Sequence, residues 1–311
     1  MTLLDKYQGC LIGLAVGDAL GGPLEFMSRE QILIKHGEVR EMIGGGWLHL
    51  RPGEFTDDTE MMLCLAESLV DKKAFDRGDV SRRYLEWFRT QPRDIGNITR
   101  AALSALDQGV SIDEASRNAH ELSGYKSAGN ATVMRAAPIG LLYWRDHKAL
   151  VEACLQDALL THYDKKAGIG SVTLCLLISE FLGGEKDKAL ALRRATDFLE
   201  EGEGGLFSVL PNFEYVEEGE LKSSAYVVDT LSVSLYHFLR TKSFEQCLVK
   251  VVNMGGDSDT AGAVSGAVAG AYYGLSGIPR RWAEKIKDRG SIAHMARRLY
   301  EVSGAHGEDA P

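Results

Sequence analysis

The chain has 311 residues, 45% hydrophobic and 25% charged, enough for one large globular domain or two modest ones. Its net charge of −9 argues against non-specific nucleic-acid binding and fits a cytoplasmic enzyme, expected to be a monomer. The five cysteines (Cys10, Cys64, Cys154, Cys175, Cys247) are scattered through apolar helical contexts with no Cys/His cluster. They read as buried thiols in a reducing compartment, not as disulfides or zinc ligands. The opening Met1-Thr2-Leu3-Leu4-Asp5-Lys6 has no basic stretch followed by an apolar core, so no secretory leader is expected.

In chain order, Leu3 to Leu20 reads as a helix with Leu4, Tyr7, Leu11 and Leu14 on one face and a glycine stripe at Gly9, Gly13 and Gly17. It breaks at Gly21-Gly22-Pro23, ahead of Leu24-Glu25-Phe26. A short polar helix and the turn Gly44-Gly45-Gly46-Trp47 follow. Thr56-Asp57-Asp58-Thr59-Glu60 opens a helix from Met61 to about Val70. Further helices are predicted over Val80–Arg89, Thr99–Gln108 and Ile112–Glu121, from the small-residue loop Ser127-Ala128-Gly129-Asn130 through Leu142, and over Leu150–Leu160 and Ile169–Leu182. Residues 200–225 read as an irregular excursion. Tyr226–Arg240 and Phe244–Val252 are helical, Ile278–Val302 closes the fold, and 303–311 reads as a flexible tail. Alternating strand patterns and βαβ successions are nearly absent. The prediction is therefore all-α, a single compact domain over residues 1–302 built of many short helices.

Gly255-Gly256-Asp257-Ser258-Asp259-Thr260 is a tight turn into a second glycine-striped helix, with Gly262, Gly266, Gly270 and Gly274 spaced by four. Each glycine costs a helix about 1 kcal/mol relative to alanine, so four in register imply a packing reason. Two striped helices in one chain suggest that they cross closely in the core. The stretch from Thr260 to Pro279 is uncharged, yet it is rich in Gly and Ala and poor in large apolar side chains. It reads as a buried helix, not a membrane span.

Acids recur at helix entrances: Glu25, Thr56-Asp57-Asp58 and Asp257-Ser258-Asp259-Thr260. Local physics allows independent helix caps, with Thr56 or Asp57 and Thr260 at the N-cap and Glu60 reaching back in a capping box. It equally allows a shared site, because clustered carboxylates and hydroxyls call for hard cations that favour all-oxygen shells.

Gly13-Leu14-Ala15-Val16-Gly17-Asp18-Ala19-Leu20-Gly21, Thr56-Asp57-Asp58-Thr59-Glu60-Met61, Gly129-Asn130 with Met134-Arg135, Thr161-His162 and Gly256-Asp257-Ser258-Asp259-Thr260 follow one another in this order. Together they resemble the ADP-ribosylglycohydrolase family over most of the chain. The resemblance implies an all-α fold, two divalent cations (Mg²⁺ or Mn²⁺), and hydrolysis that releases ADP-ribose from modified protein side chains. It implies Thr56, Asp57, Asp58, Asp257, Asp259 and Thr260 as metal ligands, with Glu25 beside the metals. Glu25 and Asp58 are candidates for the carboxylate that takes a proton from the attacking water. Ser127, Gly129 and Asn130 resemble the family's diphosphate and ribose loop, His162 its substrate-side histidine and Tyr226 an adenine-stacking aromatic. Caps or core positions are the alternatives for these. Asp94 is a candidate for pairing with a guanidinium. Relatives often carry a second acid where Asn97 stands, and Lys126-Ser127-Ala128 lacks the histidine expected before Ala-Gly-Asn; the first departure bears on arginine specificity.

Two rivals remain at this level. A phosphohydrolase of the haloacid dehalogenase type matches Asp257-x-Asp259-Thr260 but needs that motif at the end of a parallel strand. A non-catalytic ADP-ribose-binding relative would be expected to have lost acids that this chain retains. Within the enzyme reading, arginine, serine, a nucleic-acid end or a small metabolite could carry the ADP-ribose.

Overall fold

The computed structural model describes residues 1–202 and 216–304. Among these, fifteen α-helices and three short 3-10 turns are present, and the only strand-like pairings are isolated bridges. The centre is formed by α1 (Leu3–Gly21) and α13 (Ser258–Tyr273), both buried along nearly their whole length. A helix apolar all round must be covered on every side. The two run antiparallel, and their glycines meet in register. A Cβ on Gly9 would fall 2.4 Å from the Gly270 carbonyl oxygen, on Gly13 2.3 Å from that of Gly266 and on Gly17 1.9 Å from that of Gly262. The predicted close crossing is thus the axis of the fold. Its consequence is positional, because the last turn of α1 (Gly21) lies against the first turn of α13 (Ser258).

Around this pair stand α3 (Asp57–Lys72), α4 (Arg77–Arg89), α5 (Asn97–Asp107), α6 (Ile112–Leu122), α7 (Ala137–Leu142), α8 (His147–Ala158), α9 (Lys165–Leu182), α11 (Val227–Arg240), α12 (Phe244–Val252) and α15 (Arg289–Val302). The small α2 (Arg29–His36) begins with a capping box between Ser28 and Gln31. No described helix is long and apolar enough to cross a membrane. All five cysteines are free, four of them buried.

Three expectations change. α10 (Lys188–Gly202) occupies a stretch where no helix was predicted, and it takes the start of the supposed excursion at 200–225. Residues 203–215 of that excursion, and 305–311 of the predicted tail, lie outside the described residues. The closing helix is split into α14 (Arg280–Ala283) and α15. Between them the Lys287 N–H donates to the Gly53 carbonyl at 2.9 Å, and Asp288 turns left-handed at φ 54°. This loop is pinned by Gly53, where a Cβ would sit 1.9 Å from the Lys285 carbonyl oxygen.

Candidate active site

The α1–α13 crossing delivers acids to one place. Beyond α1, a 3-10 turn (Gly22–Leu24) leads to Glu25. The next residues pair with the turn before α13: the Phe26 N–H donates to the Gly256 carbonyl and the Gly256 N–H to the Met27 carbonyl, both at 2.8 Å. Gly255 and Gly256 have φ of 70° and 65°, and a Cβ on Gly256 would lie 2.0 Å from the Ser223 carbonyl oxygen. Only glycine fits there. Asp257 is the N-cap of α13, so Thr260 lies inside its first turn and is not the cap that the sequence suggested.

α3 enters from the side. Its N-cap is Thr56, whose hydroxyl makes no capping bond and instead donates toward Asp18 Oδ1 (3.0 Å) and Asp58 Oδ2 (3.1 Å). Glu60 does not reach back to form a capping box; it accepts from Trp87 Nε1 at 2.7 Å. The Thr260 hydroxyl also approaches Asp58 Oδ2, at 3.4 Å. The loop between α4 and α5 supplies Asp94. Carboxylate oxygens of Glu25, Asp94 and Asp259 lie within 4.8 Å of one another, and Trp47 Nε1 donates to Glu25.

Electrostatics mark the cluster as under-neutralised. Burial first, then the charges of neighbouring acids, push Asp57, Asp58 and Asp259 well above the usual carboxylate range. Burial lifts Glu25 to about 8, opposed by the Trp47 bond and reinforced by Asp94 and Asp257. Burial also lifts Asp94 to about 6 and Asp18 to about 7. Asp58 Oδ1 is buried with no hydrogen-bond partner. An all-oxygen donor set, a tight carboxylate triplet and an orphaned buried oxygen fit a hard divalent cation.

Beside the acids opens a cavity of about 660 Å³, within the range of small-molecule sites. Gly129, Asn130, His162, Lys126, Lys166 and Tyr226 are among its lining residues. Asn130 joins it to the acids, its Nδ2 donating to Asp257 Oδ2 at 3.0 Å and to Thr230 Oγ1 at 2.9 Å. Backbone pairing of Gly129 with Tyr226 fixes the rim, and Lys166 Nζ lies 5.7 Å from the Tyr226 ring centroid. His162 is buried against Gly129, where a Cβ would come 2.8 Å from its Nε2. Burial, aided by the nearby Arg135 charge, lowers its pKa to about 3, so the imidazole is neutral. Arg135 itself is buried, pairing through Nε with Asp157 Oδ2 at 2.9 Å.

Ser127 departs from expectation. It does not line the cavity; its buried hydroxyl contacts His120 Nδ1 at 2.6 Å and accepts from the Asp164 N–H at 3.2 Å. Nor does a helix start directly after this loop, since turns at 131–135 precede the short α7, so an anion there would not sit on a helix N-terminus. Asp94, chosen for guanidinium pairing, sits among the carboxylates. Sequence reasoning missed Asp18 as a site residue, along with Trp47 and Lys166. Asp18 had a legible signal, the one charge in the otherwise apolar stretch from Gly9 to Gly21 of α1.

Together the geometry defines an all-α protein with a buried cluster of carboxylates beside a cavity of small-molecule size. The profile of the ADP-ribosylglycohydrolase family matches residues 1–309, and the chain belongs to that family. It is an enzyme, a hydrolase of glycosyl bonds. The chain is 36% identical to the ADP-ribosyl-[dinitrogen reductase] glycohydrolase of Rhodospirillum rubrum, over 91% of this chain and 90% of that one. It is 30% identical to the ADP-ribosylarginine hydrolase Tri1 of Serratia proteamaculans (96% and 80% covered). It is 27% identical to the human ADP-ribosylhydrolase ARH3 (96% and 94% covered). A solved structure titled "ADP-ribosylglycohydrolase-related protein complex" superposes with a TM-score of 0.78 at 36% identity, covering 97% of this chain and 99% of that one. The dehalogenase-type rival falls, because the Asp257-x-Asp259 motif follows helix α12 and caps helix α13 instead of ending a strand.

Proposed function

We propose that this enzyme removes ADP-ribose from ADP-ribosylated protein side chains in a divalent-cation-dependent reaction, with the arginine N-glycosidic linkage favoured. The observation that carries the reading is the meeting of Glu25, Asp94 and Asp259 at the Asn130 end of the cavity. The arginine preference draws on the name of one relative, the ADP-ribosylarginine hydrolase Tri1 of Serratia proteamaculans.

Thr56, Asp57, Asp58, Asp257, Asp259 and Thr260, with Glu25 beside them, would hold two cations, Mg²⁺ or Mn²⁺. Such ions polarise ribose hydroxyls and lower the pKa of a bound water. The remaining work belongs to the chain. Tyr226 offers an aromatic face to the adenine, and Lys126 and Lys166 offer positive charge to the diphosphate. Asn130 orients the Asp257 carboxylate by donating to it. Neutral His162 contributes a hydrogen bond without adding charge. Glu25 would take a proton from the attacking water as the C–N bond between the anomeric carbon and the side chain breaks through an oxocarbenium-like state, and would pass that proton to the departing guanidine, which leaves as the guanidinium. Access supports Glu25 over Asp58: Glu25 is partly exposed, whereas Asp58 is buried.

Parallel assays on arginine-linked and serine-linked ADP-ribosyl peptides with Mn²⁺ or Mg²⁺ test the linkage. Release from the arginine substrate should be at least about tenfold faster, a difference of about 1.4 kcal/mol in barrier. Faster release from serine would move the assignment to that linkage.

A further inference from the structure

Asp18 is fully buried in the last turn of α1 and, among the described residues, has no basic partner; its hydrogen-bond donors come from one short stretch at the start of α3. The Thr56 N–H donates to its two oxygens at 3.0 and 3.1 Å, the Thr56 hydroxyl to Oδ1 at 3.0 Å, and the Thr59 N–H and hydroxyl to Oδ2 at 3.1 and 2.6 Å. These contacts occupy the roughly four lone-pair sites of a carboxylate, leaving none for a cation. Asp18 therefore caps α3 from another helix, which explains why the N-cap residue Thr56 makes no capping bond of its own.

The hydroxyl of Thr56 has a single proton and two candidate acceptors, Asp18 Oδ1 and Asp58 Oδ2. If Asp58 receives it, the O–H points at Asp58, the two lone pairs of the Thr56 oxygen are turned away from that carboxylate, and Asp58 Oδ2 gives up an acceptor site. If Asp18 receives it, the lone pairs of both Thr56 and Asp58 stay available.

We propose that Asp18 is a positioning residue for cation binding: it draws the Thr56 hydroxyl proton to itself and so turns the Thr56 oxygen into a ligand. The proposal rests on the cation-dependent reading above. Residues that orient metal ligands typically change affinity by about 10- to 100-fold when removed.

The test is the dissociation constant for Mn²⁺ by titration calorimetry on the full chain, with thermal unfolding in parallel. Asp18→Asn keeps the shape but turns an amide donor toward threonine donors, and it should weaken Mn²⁺ binding about 10- to 100-fold. Thr56→Val should weaken it comparably, and the double variant should be no worse than either single one, because both act through one oxygen. Thr59→Val removes only a capping hydroxyl; it should lower the unfolding temperature and leave Mn²⁺ affinity unchanged. A folded Asp18→Asn protein with wild-type affinity would overturn the proposal, as would an equal loss in Thr59→Val. If Asp18→Asn does not fold, the contrast between Thr56→Val and Thr59→Val decides the question in the same way. A wild-type chain that binds no Mn²⁺ would refute the cation-dependent reading itself.

Discussion

Gly266→Ala separates packing from helix propensity, because the two predict opposite signs. Gly266 lies mid-helix in α13, where alanine gains about 1 kcal/mol of intrinsic propensity. The added Cβ would sit 1.9 Å from the Gly13 carbonyl oxygen, far inside ordinary contact at 3.4 Å. That oxygen belongs to the backbone of a buried helix and cannot rotate away, so α1 and α13 must part by more than an ångström. Overpacking of this kind costs about 1–3 kcal/mol, and more where the neighbour cannot yield. A net loss of about 2 kcal/mol lowers the unfolding temperature of a chain of this length by about 3 °C. Because the same crossing sets Glu25 against Asp259, Mn²⁺ affinity should fall as well. Differential scanning calorimetry with and without Mn²⁺ reads both effects. A Gly266→Ala protein more stable than wild type, with cation affinity intact, would refute the reasoning.

The pH dependence of the cation-free protein has a definite sign. Asp18, Glu25 and Asp94 titrate near 7, 8 and 6 when folded and near about 4 when unfolded, so the folded state holds extra protons in between. Stability in EDTA should fall as pH rises from about 5 to 8, and Mn²⁺ should restore it at pH 8; a rise over that window would contradict the raised carboxylates. Asp57→Asn should stabilise the cation-free protein at pH 8 by removing one buried like charge, yet weaken Mn²⁺ binding by about 100-fold or more, as titration calorimetry would show. Tyr226→Ala should weaken ADP-ribose binding by roughly 1–3 kcal/mol while Tyr226→Phe leaves it near wild type, the stacking contribution being carried by the ring.

Much of this protein was legible because its signals are periodic or paired. Glycine stripes four residues apart announce a close helix crossing, and the structure places Gly13 against Gly266 as that pattern requires. The acids at helix entrances were equally visible, but their meeting was not. Glu25, Asp94 and Asp259 come from separate parts of the chain, and the resemblance to a known family, not the spacing, grouped Glu25 with the metal motifs. Asp94 was assigned from chemistry alone, and only the loop after α4 shows that it faces carboxylates. Ser127 shows what spacing alone leaves out. A small polar residue beside Gly129-Asn130 looks like a ligand contact, whereas folding buries its hydroxyl against His120 and Asp164. The split between α14 and α15 had no local signature, because it is imposed by the distant loop at Gly53.

Cation-dependent hydrolysis is tested most directly by release of free ADP-ribose from an arginine-ADP-ribosylated protein, with Mn²⁺ or Mg²⁺ and again after EDTA. Release with the cation, loss of release on chelation and recovery when the ion is returned are the expected results. Release that persists undiminished in EDTA would contradict the role assigned to the carboxylate cluster. No release under any cation, with ADP-ribose still bound in the cavity, would contradict the arginine linkage.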